Sequence, residues 1–192
     1  MGRSTGGRRF CLGVELRGRG IRDDLGDDHA AGVGTAGLDE KGQGVPYATF
    51  GFAAQMAEVE VDTELGTVKM LKMVAAHDVG RAINPIQVEG QVHGGIAQGI
   101  GLALMEEYIP GRSDNLHDYL IPTFGDVPEI ETIIVEENEP LGSYGAKGIG
   151  EPALIATAPA ILNAIHHATG VRITRVPATP DRVRAALLEK QK

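Results

Sequence analysis

The stretch Ser143-Tyr144-Gly145-Ala146-Lys147-Gly148-Ile149-Gly150-Glu151-Pro152 concentrates the chemistry of this chain. Glycines alternate with other residues directly before a proline that opens a helix. Such a loop can turn several backbone N–H groups toward an anion, and a helix N-terminus adds to the attraction. Lys147 can add a positive charge, so a phosphate- or pyrophosphate-bearing cofactor fits. The spacing is not that of a Walker loop, because Lys147 is followed by Gly148 rather than Ser or Thr. It is not the dinucleotide fingerprint either, because no βαβ unit opens around it. Glu151 has two readings that the pattern leaves even. An acid at a helix N-terminus is favoured by the helix dipole by about 0.3–1 kcal/mol. Alternatively, the glycines let a cofactor approach while Glu151 points into the same cleft, where a carboxylate can take a proton from a nucleophilic oxygen.

A second group lies upstream, in Gly90-Gln91-Val92-His93-Gly94-Gly95-Ile96-Ala97-Gln98-Gly99-Ile100-Gly101. Each glycine inside a helix costs about 1 kcal/mol against alanine, so something must offset it. Tight packing of another backbone element is one answer. Close approach of a ligand is the other. Gln98, beside Gly99, favours the second, since a neutral amide can both donate and accept to a polar cofactor group. His93 alone reads as a surface or satisfied core residue. No His, Cys, Asp and Glu grouping has the spacing of a protein-ligated metal site.

The elements that must hold these residues can be read along the chain. Residues 1–44 are dense in Gly and Arg and then in Asp; Arg17-Gly18-Arg19-Gly20 and the run from Asp23 to Asp28 read as loop or disorder. Order is expected from about Pro46, giving one domain over residues 45–192. Alternation over 53–62 and 67–74, with a turn at Thr63-Glu64-Leu65-Gly66, predicts a β-hairpin. His77 to Arg81 then leaves the sheet. Asn84-Pro85 starts a helix that runs to about Tyr108. Residues 109–128 are irregular, 129–136 a strand, and 137–150 a long loop. A helix from Pro152 to Thr169 ends at Gly170, a short strand covers 171–176, and Thr179-Pro180 opens a last helix. The fold class is α+β: a β-hairpin and further strands packed with helices.

Bulk properties exclude several classes. The net charge of −8 argues against a nucleic-acid-binding face. No apolar stretch is long enough to span a bilayer, and no apolar leader is present, so no membrane is expected. A single cysteine, Cys11, rules out an internal disulfide and any cysteine-held iron–sulfur cluster within the chain. A reducing, cytoplasmic setting follows.

Three segments together, His77-Asp78-Val79-Gly80-Arg81-Ala82-Ile83-Asn84-Pro85, the glycine helix from Gly90 to Gly101, and Gly145 to Pro152, resemble the molybdenum hydroxylases. These are the relatives of xanthine dehydrogenase and aldehyde oxidase. The resemblance covers residues 44–190, and the run from Pro140 to Glu151 is most similar to bacterial xanthine-dehydrogenase-type molybdopterin-binding subunits. It implies a molybdenum–molybdopterin cofactor, in bacteria commonly the cytosine dinucleotide form, whose metal is held by the pterin sulfurs. It implies that Glu151 is the general base, taking a proton from the water-derived oxygen that attacks an electron-poor carbon of a heteroaromatic or aldehyde substrate. Gln98 is implied to lie beside the metal centre. Gly94, Gly95, Gly99, Ala146, Lys147, Gly148 and Gly150 are implied to adjoin the cofactor. Electrons are implied to leave through iron–sulfur clusters to FAD, on partner chains or domains.

The family's large subunits are several times longer, so the chain corresponds to the C-terminal portion of the molybdopterin-binding domain. The upstream half is then itself an expected partner. Two other readings stand beside this one: a truncated, cofactor-free fragment without activity of its own, and a phosphate- or nucleotide-binding module built on the glycine loop.

Overall fold

A computed structural model describes residues 39–43, 50–140 and 142–190, and the backbone of 8–19. Four strands form one sheet in the order β1 (Arg8–Arg19), β2 (Phe50–Val61), β3 (Val68–Asp78), β4 (Glu129–Val135). The β2–β3 hairpin is the predicted one. Asp62 Oδ1 accepts from the amides of Glu64 and Leu65, which sets the turn. Gly66 closes the turn at φ +76, and a Cβ there would strike the carbonyl oxygen of Pro180. Glycine is therefore required by both conformation and packing.

Burial alternates along β2, with Gln55, Ala57, Val59 and Val61 facing inward. In β3 the inward positions change parity, from Met70 to Met73, Ala75 and His77. The register explains this: Glu58 pairs with Lys72 and Val59 with Met70, so Leu71 is an extra residue, a β-bulge. Without it, His77 would point to the opposite face.

Two strand expectations need correction. Residues 8–19, read as loop, pair antiparallel with β2 from Arg8↔Val61 to Arg19↔Phe50. Phe10, Leu12, Val14 and Leu16 carry a period of two that the flanking arginines and glycines obscure. The run from Asp23 to Asp28, the boundary at residue 44 and the Cys11 side chain lie outside the described residues. His77 and Asp78 also stay in the sheet, because β4 pairs in parallel with residues 72–78 of β3 and extends the ladder.

Helix α1 (Pro85–Leu104) is the crossover between the parallel strands β3 and β4. Asn84 caps it, with Oδ1 accepting from the Gln87 amide at 3.2 Å. The helix ends before the predicted Tyr108. Glu106 and Glu107 are drawn into side-chain contacts instead, Glu106 with the Tyr119 hydroxyl and Glu107 with Arg175 and Arg182. The predicted helix of 152–169 is two pieces, α2 (Pro152–Ile155) and α3 (Thr157–Thr169), joined at Ala156. Gly170 closes α3 at φ 73. The expected strand at 171–176 is absent. That segment crosses the end of α1, where the Ala178 amide donates to Ala103, and it joins no sheet edge. The last helix, α4, covers Pro180–Lys190.

The core lies between one sheet face and the helices. Val59, Val61, Met73 and Ala75 meet Val92, Ile96 and Ile100 of α1, Ile161 and Ile165 of α3, and Val183 of α4. The fold is α+β, as expected. No helix among the described residues is long and apolar enough to cross a membrane.

Candidate functional site

The glycine loop is fastened to the end of β3. The Lys147 amide donates to the Val79 carbonyl at 2.9 Å, and the Arg81 amide donates to the Gly145 carbonyl at 2.7 Å. Gly80 and Ala146 form an isolated bridge between the same two segments. Gly80 (φ 63) and Gly145 (φ 79) are both left-handed. A Cβ on Gly80 would strike the Gly145 carbonyl, so glycine permits the two backbones to approach this closely.

Lys147 completes the fastening with its side chain. Its Nζ lies 2.5 Å from Asp78 Oδ2, with the two side chains 7% and 8% exposed. The ammonium also stands 5.6 Å from the centroid of the Phe52 ring. Asp78 Oδ1 accepts from the Gly80 amide. The charge of Lys147 is therefore spent on Asp78, and is not the free cation that the loop's sequence suggested.

A cavity of about 450 Å³ opens beside this loop. Its walls are the turn after β3, the first half of α1 and the loop itself. Ala146, Lys147 and Gly150 line it; Gly94, Gly95, Gln98, Gly99, Gly148 and Glu151 do not. Arg81, which sequence reasoning placed only in the segment leaving the sheet and in the His77–Pro85 run, lines it too. Its side chain is exposed and makes no ion pair among the described residues, so the cation available to an anion here is Arg81. Gln91 reaches across from α1, donating through Nε2 to the Gly150 carbonyl at 3.0 Å.

Beyond Gln91, α1 runs alongside residues 150–157. A Cβ on Gly95 would sit 2.6 Å from the Ala153 Cβ, and one on Gly99 would fall on the Thr157 side chain. For Gly95 and Gly99 the packing explanation of a glycine-rich helix therefore holds. Gly94 differs, since a Cβ there would meet open space, and Gln98 is exposed beside the seam. Gly148 and Gly150 also face open space. Glu151 occupies the position before α2 with helical backbone angles, is exposed, and makes no capping hydrogen bond with its side chain. Its carboxylate is not used to cap the backbone.

Beneath the seam is a polar cluster that sequence reasoning missed. Gln55, His77 and Thr157 are each at most 1% exposed. Gln55 Nε2 donates to the Ala153 carbonyl at 2.8 Å, and the Thr157 hydroxyl donates to Gln55 Oε1 at 2.7 Å. Gln55 Nε2 also lies 3.2 Å from His77 Nε2. Burial pushes the His77 imidazole below its ordinary pKa. A neutral ring with its proton on Nδ1 leaves Nε2 free to accept from Gln55.

Among the described residues no three His, Cys, Asp or Glu side chains come together to hold a metal. What this surface offers is a glycine backbone, neutral amides, one exposed guanidinium and an uncommitted carboxylate. Those groups suit an anionic organic ligand.

Comparison with known proteins agrees with this chemistry. The family described as "Molybdopterin cofactor-binding domain" matches residues 27–128. A putative xanthine dehydrogenase molybdenum-binding subunit of Escherichia coli (strain K12) is 44% identical over 138 residues, covering 69% of this chain and 18% of that protein. The aldehyde oxidoreductase of Megalodesulfovibrio gigas is 38% identical over 151 residues, covering 76% of this chain and 16% of its own length. Among solved structures, the aldehyde oxidoreductase from Desulfovibrio gigas superposes with a TM-score of 0.75 at 37% identity, covering 80% of this chain and 17% of that one. Quinoline 2-oxidoreductase from Pseudomonas putida 86 gives 0.67 at 38% identity, over 73% and 19%. The chain thus spans less than a fifth of the length of these relatives.

Proposed function

We propose, from the premise that this chain belongs to the molybdopterin cofactor-binding domain family, that it supplies the catalytic carboxylate of a molybdopterin-dependent hydroxylase acting on a heteroaromatic or aldehyde carbon. The observation that carries the reading is the state of Glu151: exposed, unused by the helix it precedes, and directly after Gly150, where a Cβ would meet open space. When bound, the cofactor would supply the two-electron acceptor.

Each residue's part follows from its position. Glu151 takes the proton from the water-derived oxygen as that oxygen attacks the substrate carbon. The Gln98 amide presents a neutral donor and acceptor at the α1 edge of the same surface. Gly94, Gly148 and Gly150 keep side chains out of the way of the cofactor. Ala146 and Lys147 line the neighbouring cavity, Lys147 chiefly by holding the loop to β3, while exposed Arg81 offers the positive charge for a pyrophosphate. That charge supports the cytosine dinucleotide form of the cofactor. Gly95 and Gly99 act indirectly, by letting α1 close on α2 and α3.

The rest of the enzyme is proposed to come from elsewhere: the upstream half of the cofactor domain, and iron–sulfur and FAD subunits that carry electrons away. Large apolar side chains left exposed, among them Ile86, Phe124 and Tyr144, support such covering partners. The lone cysteine supports a cytoplasmic setting.

Glu151→Gln in the assembled, cofactor-loaded enzyme tests the assignment. Turnover should fall by about 10²-fold or more while molybdenum content stays unchanged. Near-normal turnover would sink it.

A further inference from the structure

We propose that Gln55 is a positioning residue for Glu151, acting through the carbonyl of Ala153. The inference rests on the reading of Glu151 as the base.

Glu151 is followed by a helix of only four residues, which gives way to α3 at Ala156. So short a piece has little cooperative stability of its own, and its place must be set from outside. Two contacts converge on Ala153, two residues past Glu151. Its Cβ is seated against Gly95 of α1. Its carbonyl oxygen accepts from Gln55 Nε2 of β2 at 2.8 Å. One contact comes from α1 and the other from β2, so together they hold the turn that carries Glu151 at two points.

The orientation of the Gln55 amide is itself determined. The Ala153 carbonyl can only accept, so the atom facing it must be the nitrogen. The oxygen then faces Thr157, whose hydroxyl donates at 2.7 Å. The second N–H of the amide points at His77 Nε2, 3.2 Å away. Every polar atom of the Gln55 side chain is thereby satisfied, and both neighbours brace it. A buried amide alone in an apolar strand face would be costly; three partners make it a rigid strut. The β-bulge at Leu71 matters here, because it turns His77 to the face where Gln55 stands.

A strut of this kind should affect the rate more than binding. A misplacement of about 1 Å at a catalytic group can cost about 10²-fold. The test uses the assembled, cofactor-loaded enzyme with two variants. Gln55→Leu removes the amide. Thr157→Val keeps the shape against Gly99 and removes only the hydroxyl that orients the amide. The expected result is a fall in kcat of about 10- to 100-fold for Gln55→Leu and a smaller fall for Thr157→Val. KM should stay within about twofold and molybdenum content should be unchanged. Hydrogen exchange at the amides of residues 153–157 should accelerate in both variants, and Thr157→Ser should restore kcat and exchange.

Unchanged kcat in both variants, while Glu151→Gln is inactive, would overturn the positioning role and leave the base assignment standing. Loss of molybdenum in parallel with activity in both variants would also overturn it, by assigning the cluster to folding alone. Full activity of Glu151→Gln would bring down the base assignment and this inference together.

Discussion

The glycines of α1 and of the loop before α2 divide into two kinds. Gly95 and Gly99 face a seam where a Cβ would collide with Ala153 or Thr157. Gly90, Gly94, Gly148 and Gly150 face space in which a Cβ meets nothing within 4 Å. The first kind is explained by the chain itself, because another part of the same fold comes in close. The second kind has no such internal reason, although a helical glycine such as Gly94 still costs about 1 kcal/mol against alanine. An unexplained cost at an exposed position fits the proposal that this surface is kept clear for a ligand.

Variants at these positions put that division to the test. Lys147 tests it most severely, since it belongs to the open loop by sequence and to the closed interior by structure. Lys147→Met should destabilise the fold by about 3–5 kcal/mol in urea unfolding, because it strands the buried Asp78 carboxylate. A loss under about 1 kcal/mol would return Lys147 to the open side. Gly99→Ala comes next, with an expected loss of about 1–3 kcal/mol from overpacking against Thr157, despite alanine's better helix propensity. An unchanged midpoint would mean the seam is not tight.

His77 probes the polar floor of the seam. Its pKa is lowered in the fold, so the unfolded chain binds more protons once pH drops near the ordinary 6.5. Native stability should therefore decline as pH falls through that value, and stop declining below the folded pKa. His77→Gln should remove this part of the pH dependence in thermal melts; an identical profile would exclude His77 as its source. The smallest effect is expected at Gly94→Ala, a gain of up to about 1 kcal/mol in stability. The same variant in the assembled enzyme should retain less molybdopterin. A loss of stability there would erase the distinction between the two kinds of glycine.

Much of the fold was legible because its signals are local. The β2–β3 hairpin shows in alternation around a Gly-containing turn, and the start of α1 in the Asn84-Pro85 pair. Strand β1 was legible in principle, through Phe10, Leu12, Val14 and Leu16, but the Gly- and Arg-rich stretches on either side masked the period. The end of α1 and the missing strand at 171–176 were decided by Glu107, Arg175 and Arg182, which meet only in the folded chain. At the site, Glu151 and Gln98 stood out by their glycine context. Gln55 did not, because its partners His77, Ala153 and Thr157 are 22, 98 and 102 residues away. Lys147 was misjudged for the same reason: Asp78, its neutralising partner, is 69 residues distant.

The parallel pairing of β3 with β4 has a consequence in time. The hairpin of β2 and β3 closes a short turn, whereas β4 can join β3 only after the whole crossover through α1 has been laid down. Loop-closure entropy makes such distant pairings late. Two of the cavity walls, Val79 and Arg81 on one side and Ala146, Lys147, Ile149 and Gly150 on the other, lie across that same divide. The ligand surface is therefore expected to be the last part of the chain to take shape during folding.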